Sequence, residues 1–238
     1  MAGVTDGKFC SKMANYGFDL LTLGGYNAEN ESIEAGLKII KRGRKEFHVD
    51  AKELIQHIRN EASYIKNGTV SNVDVSVNIR VKTEYPVTQI SKIPEVDVVE
   101  INAHCRQPEL VDSGYGQALM NDPEHLHELI SDIVRKSKKK VSVKIRANVP
   151  GVDNIAIANA VNDAGAHYLH VDAMKPGFDC ADYSVIKSIK EKMDIFIIGN
   201  NSIRDLDSAR NMLLAGADGI SIARAVIHGK LSFDLSLI

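Results

Sequence analysis

Little in this chain points to a disulfide scaffold, a membrane span or a polyanion binder. Cysteine occurs three times in 238 residues, at Cys10, Cys105 and Cys180. The three are far apart and form no C-x-x-C pair, so neither a disulfide framework nor a zinc centre is expected, and no metal ligand is assigned. Charge of one sign is scarce too: the formal net charge is -2, which gives no overall positive field. Two basic runs, Lys41-Arg42-Gly43-Arg44-Lys45 and Lys136 with Lys138-Lys139-Lys140, read as solvated turns at helix ends. No unbroken apolar stretch could span a bilayer, and no secretory segment opens the chain, so a cytoplasmic protein without membrane contact is expected. Linkers, low-complexity tracts and strong internal repeats are missing as well. One domain over 1–238 is therefore expected.

What is there is alternation. Hydrophobic residues make up 44% of the chain, enough for a sizeable core. Short apolar runs at 18–23, 73–79, 96–101, 141–146, 168–171, 195–198 and 219–222 read as strands. Between them lie helical patterns. One opens at Asp50, with Glu53 as its capping-box partner and Leu54, Ile55, Ile58 and Ala62 on one face. Others start near Pro123, run over 155–164 up to Gly165, over 183–192, and over 205–215 up to Gly216. Strands apolar on both faces, alternating with helices, predict a parallel α/β sheet. The fold expected is a TIM (β/α)8 barrel of the kind that needs eight strands. Seven are visible, and Met1-Ala2-Gly3-Val4-Thr5-Asp6 looks like a strand-to-helix loop whose strand is truncated or missing. An open doubly wound sheet is the alternative.

Polar residues gather at the predicted strand ends. Glu100-Ile101-Asn102-Ala103-His104-Cys105 places a cysteine just past a strand, three residues after an asparagine. Its polar neighbours argue against burial of Cys105; the plain alternative is a small buried hydrophobe. Asn102 either binds a ligand edge or caps the turn. Lys144 and Arg146 lie two apart on one strand and share a face, where a lysine needs an anion or electron-rich partner. Arg146 suits a carboxylate or phosphate. His170 and Asp172 also share a face, with too few ligands beside them for a metal. Gly199-Asn200-Asn201-Ser202 and Ile222-Ala223-Arg224 end adjacent strands, where small residues and free amides bind phosphate. Cys10 and Cys180 read as structural.

In this order the motifs resemble the dihydrouridine synthases, flavin-dependent TIM-barrel reductases acting on uridines in tRNA. The opening loop, Glu100 to Cys105, Gly116 to Pro123, Val143-Lys144-Ile145-Arg146, and the stretches 198–203 and 217–224 carry the likeness across nearly the whole chain. The resemblance implies FMN, held by Ala2, Gly3, Asn78, Asn102, Lys144, Asp172, Gly199, Asn200, Asn201, Ala223 and Arg224. It implies Cys105 as the acid that protonates a pyrimidine whose C5=C6 bond takes hydride from the flavin, and Lys144 as the group that stabilises reduced flavin. Asn102, His104 and Arg146 are the implied substrate contacts, and His104 is placed to tune the thiol. The family's Gly-Cys-Pro is His104-Cys105-Arg106 here, and its His-Gly-Arg is Asp172-Ala173-Met174. Its glutamine is replaced by Asn78, and its helical tRNA-holding C-terminal domain has no counterpart in 1–238. Two other functions stay open: a flavin enzyme on a free small pyrimidine, similar to dihydroorotate dehydrogenases, and a non-catalytic barrel that binds a phosphate ligand. With no G-x-G-x-x-G fingerprint, NAD(P)H or another reductant would dock only transiently. The oligomeric state is open.

Overall fold

A computed structural model of the chain describes residues 1–69 and 72–238. Its centre is one seven-stranded sheet in sequential order, parallel throughout. The strands are β1 (Leu20–Asn27), β2 (Asp74–Arg80), β3 (Val98–Ala103), β4 (Lys140–Arg146), β5 (Tyr168–Asp172), β6 (Phe196–Asn200) and β7 (Gly219–Ser221). Helices α1 (Gly7–Ala14), α2 (Asn30–Lys41), α3 (Leu54–Gly68), α4 (Tyr85–Ile90), α5 (Pro108–Val111), α6 (Pro123–Lys136), α7 (Asn154–Asp163), α8 (Tyr183–Lys190) and α9 (Leu206–Leu214) fill the connections. Among the described residues no helix is long and apolar enough to cross a membrane.

The two faces of the sheet have opposite chemistry. Val75, Val77 and Ile79 of β2, Val99 and Ile101 of β3, Val141, Val143 and Ile145 of β4, and Leu169 and Val171 of β5 all belong to the main core. Helical faces such as Leu126, Leu129, Ile130 and Ile133 of α6 cover them. The alternate positions point the other way and are polar: Ser76, Asn78 and Arg80, then Glu100 and Asn102, then Ser142, Lys144 and Arg146, then His170 and Asp172. Glu100 on β3 and His170 on β5 meet at 2.7 Å across β4. Strands two apart lie about 10 Å from each other in a flat sheet. Contact over an intervening strand therefore requires a strongly curled sheet with the polar face inside, as in a TIM-like barrel. Among the described residues, β1 and β7 do not pair with each other.

The expected strands all form, and both basic runs lie at helix ends as read: Lys41 closes α2, and Lys136 closes α6. Asp122, Asp153 and Asp205 cap α6, α7 and α9 through their side chains. Three local expectations fail. Helix α3 starts at Leu54 with no side-chain cap on Glu53, while Asp50 closes a preceding turn through its carbonyl at 2.9 Å. Helix α1 follows the opening loop as its strand-to-helix reading implies, whereas α2 arises in a stretch whose pattern assigns no helix. The first strand does not stop at Gly24-Gly25 but runs through both to Asn27.

The glycines allow that passage because the register slips there: Gly24 pairs with Asn78 and Tyr26 with Ile79, leaving Gly25 as the extra residue. A Cβ on Gly25 would sit 2.4 Å from Asn78 Oδ1. Gly25→Ala is expected to destabilise the fold by about 1–3 kcal/mol through overpacking, read as a lowered midpoint in urea unfolding.

Candidate active site

Two polar clusters line the inside of the sheet. The deeper one centres on Glu100, which sequence reading did not select. Its carboxylate accepts from Asn78 Nδ2 at 2.8 Å, Ser142 Oγ at 3.1 Å and His170 Nδ1 at 2.7 Å. Asn78 Oδ1 in turn accepts from Asn102 Nδ2 at 2.8 Å. Burial alone would raise the Glu100 carboxyl, but His170 and Lys144 beside it outweigh burial and hold it well below the usual range. Burial, reinforced by the Lys144 ammonium, pushes His170 down against the pull of Glu100, which its Nδ1 meets. Its Nε2 is buried without a partner among the described residues. A signal for Glu100 was present: on a strand it shares a face with Asn102, and a carboxylate inside a run of Val and Ile needs a reason.

The second cluster joins four elements at the carboxyl ends of the strands. Asp172 Oδ2 lies 2.8 Å from His104 Nε2 and 3.0 Å from Arg146 Nη2. Its Oδ1 accepts from Asn201 Nδ2 at 2.6 Å. Arg146 Nε also donates to the His104 carbonyl at 3.3 Å. Burial would raise Asp172, yet the hydrogen bond from His104 and the charge of Arg146 keep it below the usual carboxylate range. Burial pushes His104 down to about 4 against the pull of Asp172. The His104 ring therefore pairs with Asp172, with no hydrogen bond to Cys105 among the described residues, and Arg146 already has its anion.

Lys144 stands between the clusters, in register with Asn102 on one side and His170 on the other. Burial lowers its pKa, while Glu100 and Asp172 pull the other way. Among the described residues it makes no hydrogen bond or ion pair. A desolvated cation without a partner suits an anionic or electron-rich ligand.

Cys105 corrects the expectation of an open thiol. It is 8% exposed and packs with Ala35, Ile39, Leu110 and Tyr115 in an apolar cluster apart from the main core. The polar neighbours in sequence point elsewhere, because Asn102 Oδ1 accepts from the amides of His104 at 3.1 Å and Cys105 at 2.9 Å and turns the chain sharply. Turn capping is thus one role of Asn102. Cys10 is buried and pushed up to about 12 by desolvation, while Cys180 is exposed.

The two presumed phosphate loops split. Gly199 is small for another reason: a Cβ there would strike Met212 of α9 at 2.5 Å, so it serves helix packing. Asn200 Nδ2 ties down the Ser221 carbonyl at 2.7 Å. Yet among the described residues the amides of Asn201, Ser202, Ala223 and Arg224 find no hydrogen-bond partner, and the exposed Arg224 makes no ion pair. Unpaired amides on adjacent strand ends with an arginine fit a phosphate group. Ala2 and Gly3 lie by β1: Thr5 bridges to Gly24, and a Cβ on Gly3 would meet the Glu46 amide nitrogen at 2.8 Å. That contact accounts for Gly3 without a ligand.

A curled parallel α/β sheet whose polar groups converge at the carboxyl ends of its strands is the architecture of barrel enzymes. The chain belongs to the dihydrouridine synthase family, whose model matches residues 48–229. An uncharacterized protein of Methanocaldococcus jannaschii is 38% identical over 98% of this chain and 89% of its own length. A probable tRNA-dihydrouridine synthase of Helicobacter pylori is 26% identical over 98% of this chain and 67% of its own length. A mouse tRNA-dihydrouridine(20a/20b) synthase [NAD(P)+]-like protein is 29% identical over 59% of this chain, which spans 45% of that protein. The structure of FabK from Thermotoga maritima shares the fold, with a TM-score of 0.57 at 14% identity over 95% of this chain and 57% of that one.

The low His104 value has a consequence for stability. Between the ordinary histidine value near 6.5 and about 4, the unfolded chain takes up a proton that the folded chain refuses, so stability falls as pH drops through that window. Wild type is expected to lose roughly 1–3 kcal/mol more than His104→Gln between the two ends, measured by urea unfolding at each pH.

Proposed function

We propose that the chain is an FMN-dependent oxidoreductase that reduces a uridine C5=C6 bond in tRNA, with its seven strands as members of a (β/α)8 barrel. The observation that carries this reading is Lys144, a partly buried lysine that makes no hydrogen bond or ion pair among the described residues, on the polar inner face of a dihydrouridine synthase family sheet. When bound, reduced FMN supplies hydride to one carbon of the base. Lys144 would stabilise the negative charge of the reduced flavin. The amides of Asn201, Ser202, Ala223 and Arg224, with the Arg224 guanidinium, hold the phosphate. Asn78 and Asn102 form the wall beside the ring system. Cys105 Sγ would give the proton to the other carbon, which requires the thiol to leave its cluster with Leu110 and Tyr115. Asp172, His104 and Arg146 fix the rim where the substrate enters. NAD(P)H or a similar reductant completes the cycle.

A free small pyrimidine is the second reading. The net charge of -2 favours it, since a tRNA surface calls for a basic field. Dihydrouridine measured by mass spectrometry in tRNA from cells lacking the gene separates the two. Loss of the modified base at one or more positions, restored by wild type and not by Cys105→Ala, is expected; unchanged levels would remove the tRNA reading.

The purified protein is expected to be yellow with an oxidised-flavin spectrum. Arg224→Ala should weaken FMN binding about tenfold, the value of one charge-assisted hydrogen bond. Titration of apoprotein with FMN by fluorescence quenching measures it.

A further inference from the structure

We propose that Glu100 is a positioning residue that sets the direction of a hydrogen-bond relay ending on the backbone of Cys105. The idea gains its functional meaning from the reading of Cys105 as the proton donor, but its geometry stands alone.

The relay has three links. Asn78 Nδ2 donates to Glu100 Oε1 at 2.8 Å. Asn102 Nδ2 donates to Asn78 Oδ1 at 2.8 Å. The Cys105 and His104 amides donate to Asn102 Oδ1 at 2.9 Å and 3.1 Å. Asn78 is 6%, Glu100 3% and Asn102 6% exposed, so water cannot substitute for a lost partner.

Direction is the point. A carboxamide has a donor end and an acceptor end, and either can face a neighbour. An ionised carboxylate only accepts, so Glu100 can face Asn78 only through the Asn78 amino group. That leaves Asn78 Oδ1 for Asn102, which must offer its own amino group and turn its oxygen to the loop. Reversing any link would set donor against donor in a buried place. Glu100 keeps its second oxygen for Ser142 and His170, so three strands hold the carboxylate still. On its far side the same loop is gripped by Gln117, whose amide donates to the Cys105 carbonyl at 2.9 Å. Asn102 supplies the near-side anchor. When it lets go, the thiol comes free of the Tyr115 and Leu110 cluster.

The test is peptide-resolved alkylation of the native, full-length protein as purified, with iodoacetamide as the probe. Buried Cys10 reports general loosening, and exposed Cys180 reports reagent activity. Glu100→Leu and Asn78→Leu, which remove the first and middle links, should each raise Cys105 labelling about tenfold with Cys10 unchanged. Glu100→Gln can turn either its carbonyl or its amino group to Asn78, so it should label faster than wild type but slower than the Leu variants. An unchanged Cys105 rate in the Asn78→Leu variant would overturn the relay, and that variant keeps the Glu100, Ser142 and His170 contacts should Glu100→Leu fail to fold. Cys10 and Cys105 rising in parallel would also overturn it, as would a Gln variant as fast as the Leu variants. Labelling needs neither flavin nor substrate, so this outcome is independent of whether the proposed reaction is correct.

Discussion

A charge kept dry on the inside of a curled sheet has to be matched by donors on neighbouring strands, and Glu100 is the place where this chain meets that demand. Burial opposes its ionisation. Three hydrogen bonds from β2, β4 and β5 and the nearby Lys144 reverse that penalty. The arrangement works only if the strands curl far enough for side chains two strands apart to touch. Curvature, inner polarity and the pose of the Cys105 loop are consequences of one another.

Much of this was legible in the residue order because burial writes a simple code on strands. Val75-Ser76-Val77-Asn78-Ile79 alternates, and the structure turns its apolar members to the helices and its polar members inward. Lys144 and Arg146, and His170 and Asp172, were correctly paired by face for the same reason. What could not be read were contacts between distant segments. Gly24 and Gly25 look like a stop, and only the approach of Asn78 shows that they let a strand continue. Gly199 looks like a phosphate loop, and only Met212 shows that it is a packing site. Cys105 looks exposed from its sequence neighbours, because the turn made by Asn102 lies outside any one-dimensional pattern.

Membership of the dihydrouridine synthase family accounts for the common frame, and two of the departures noted in the sequence fall in one place. Asp172-Ala173-Met174 and His104-Cys105-Arg106 are separate in the chain but touch in the fold, through His104, Asp172 and Arg146. The two unusual stretches are thus one altered patch at the rim. Asn201, in the loop after β6, joins that patch through its 2.6 Å hydrogen bond to Asp172.

The Asp172 carboxylate binds a cation, an imidazole and a carboxamide from three different strand ends. Removing it alone would leave the Arg146 guanidinium against the His104 ring, 3.0 Å away, with no carboxylate to balance it. Asp172, His104, Arg146 and Asn201 therefore depend on one another, and a change at any one of them redistributes charge and hydrogen bonds among the other three.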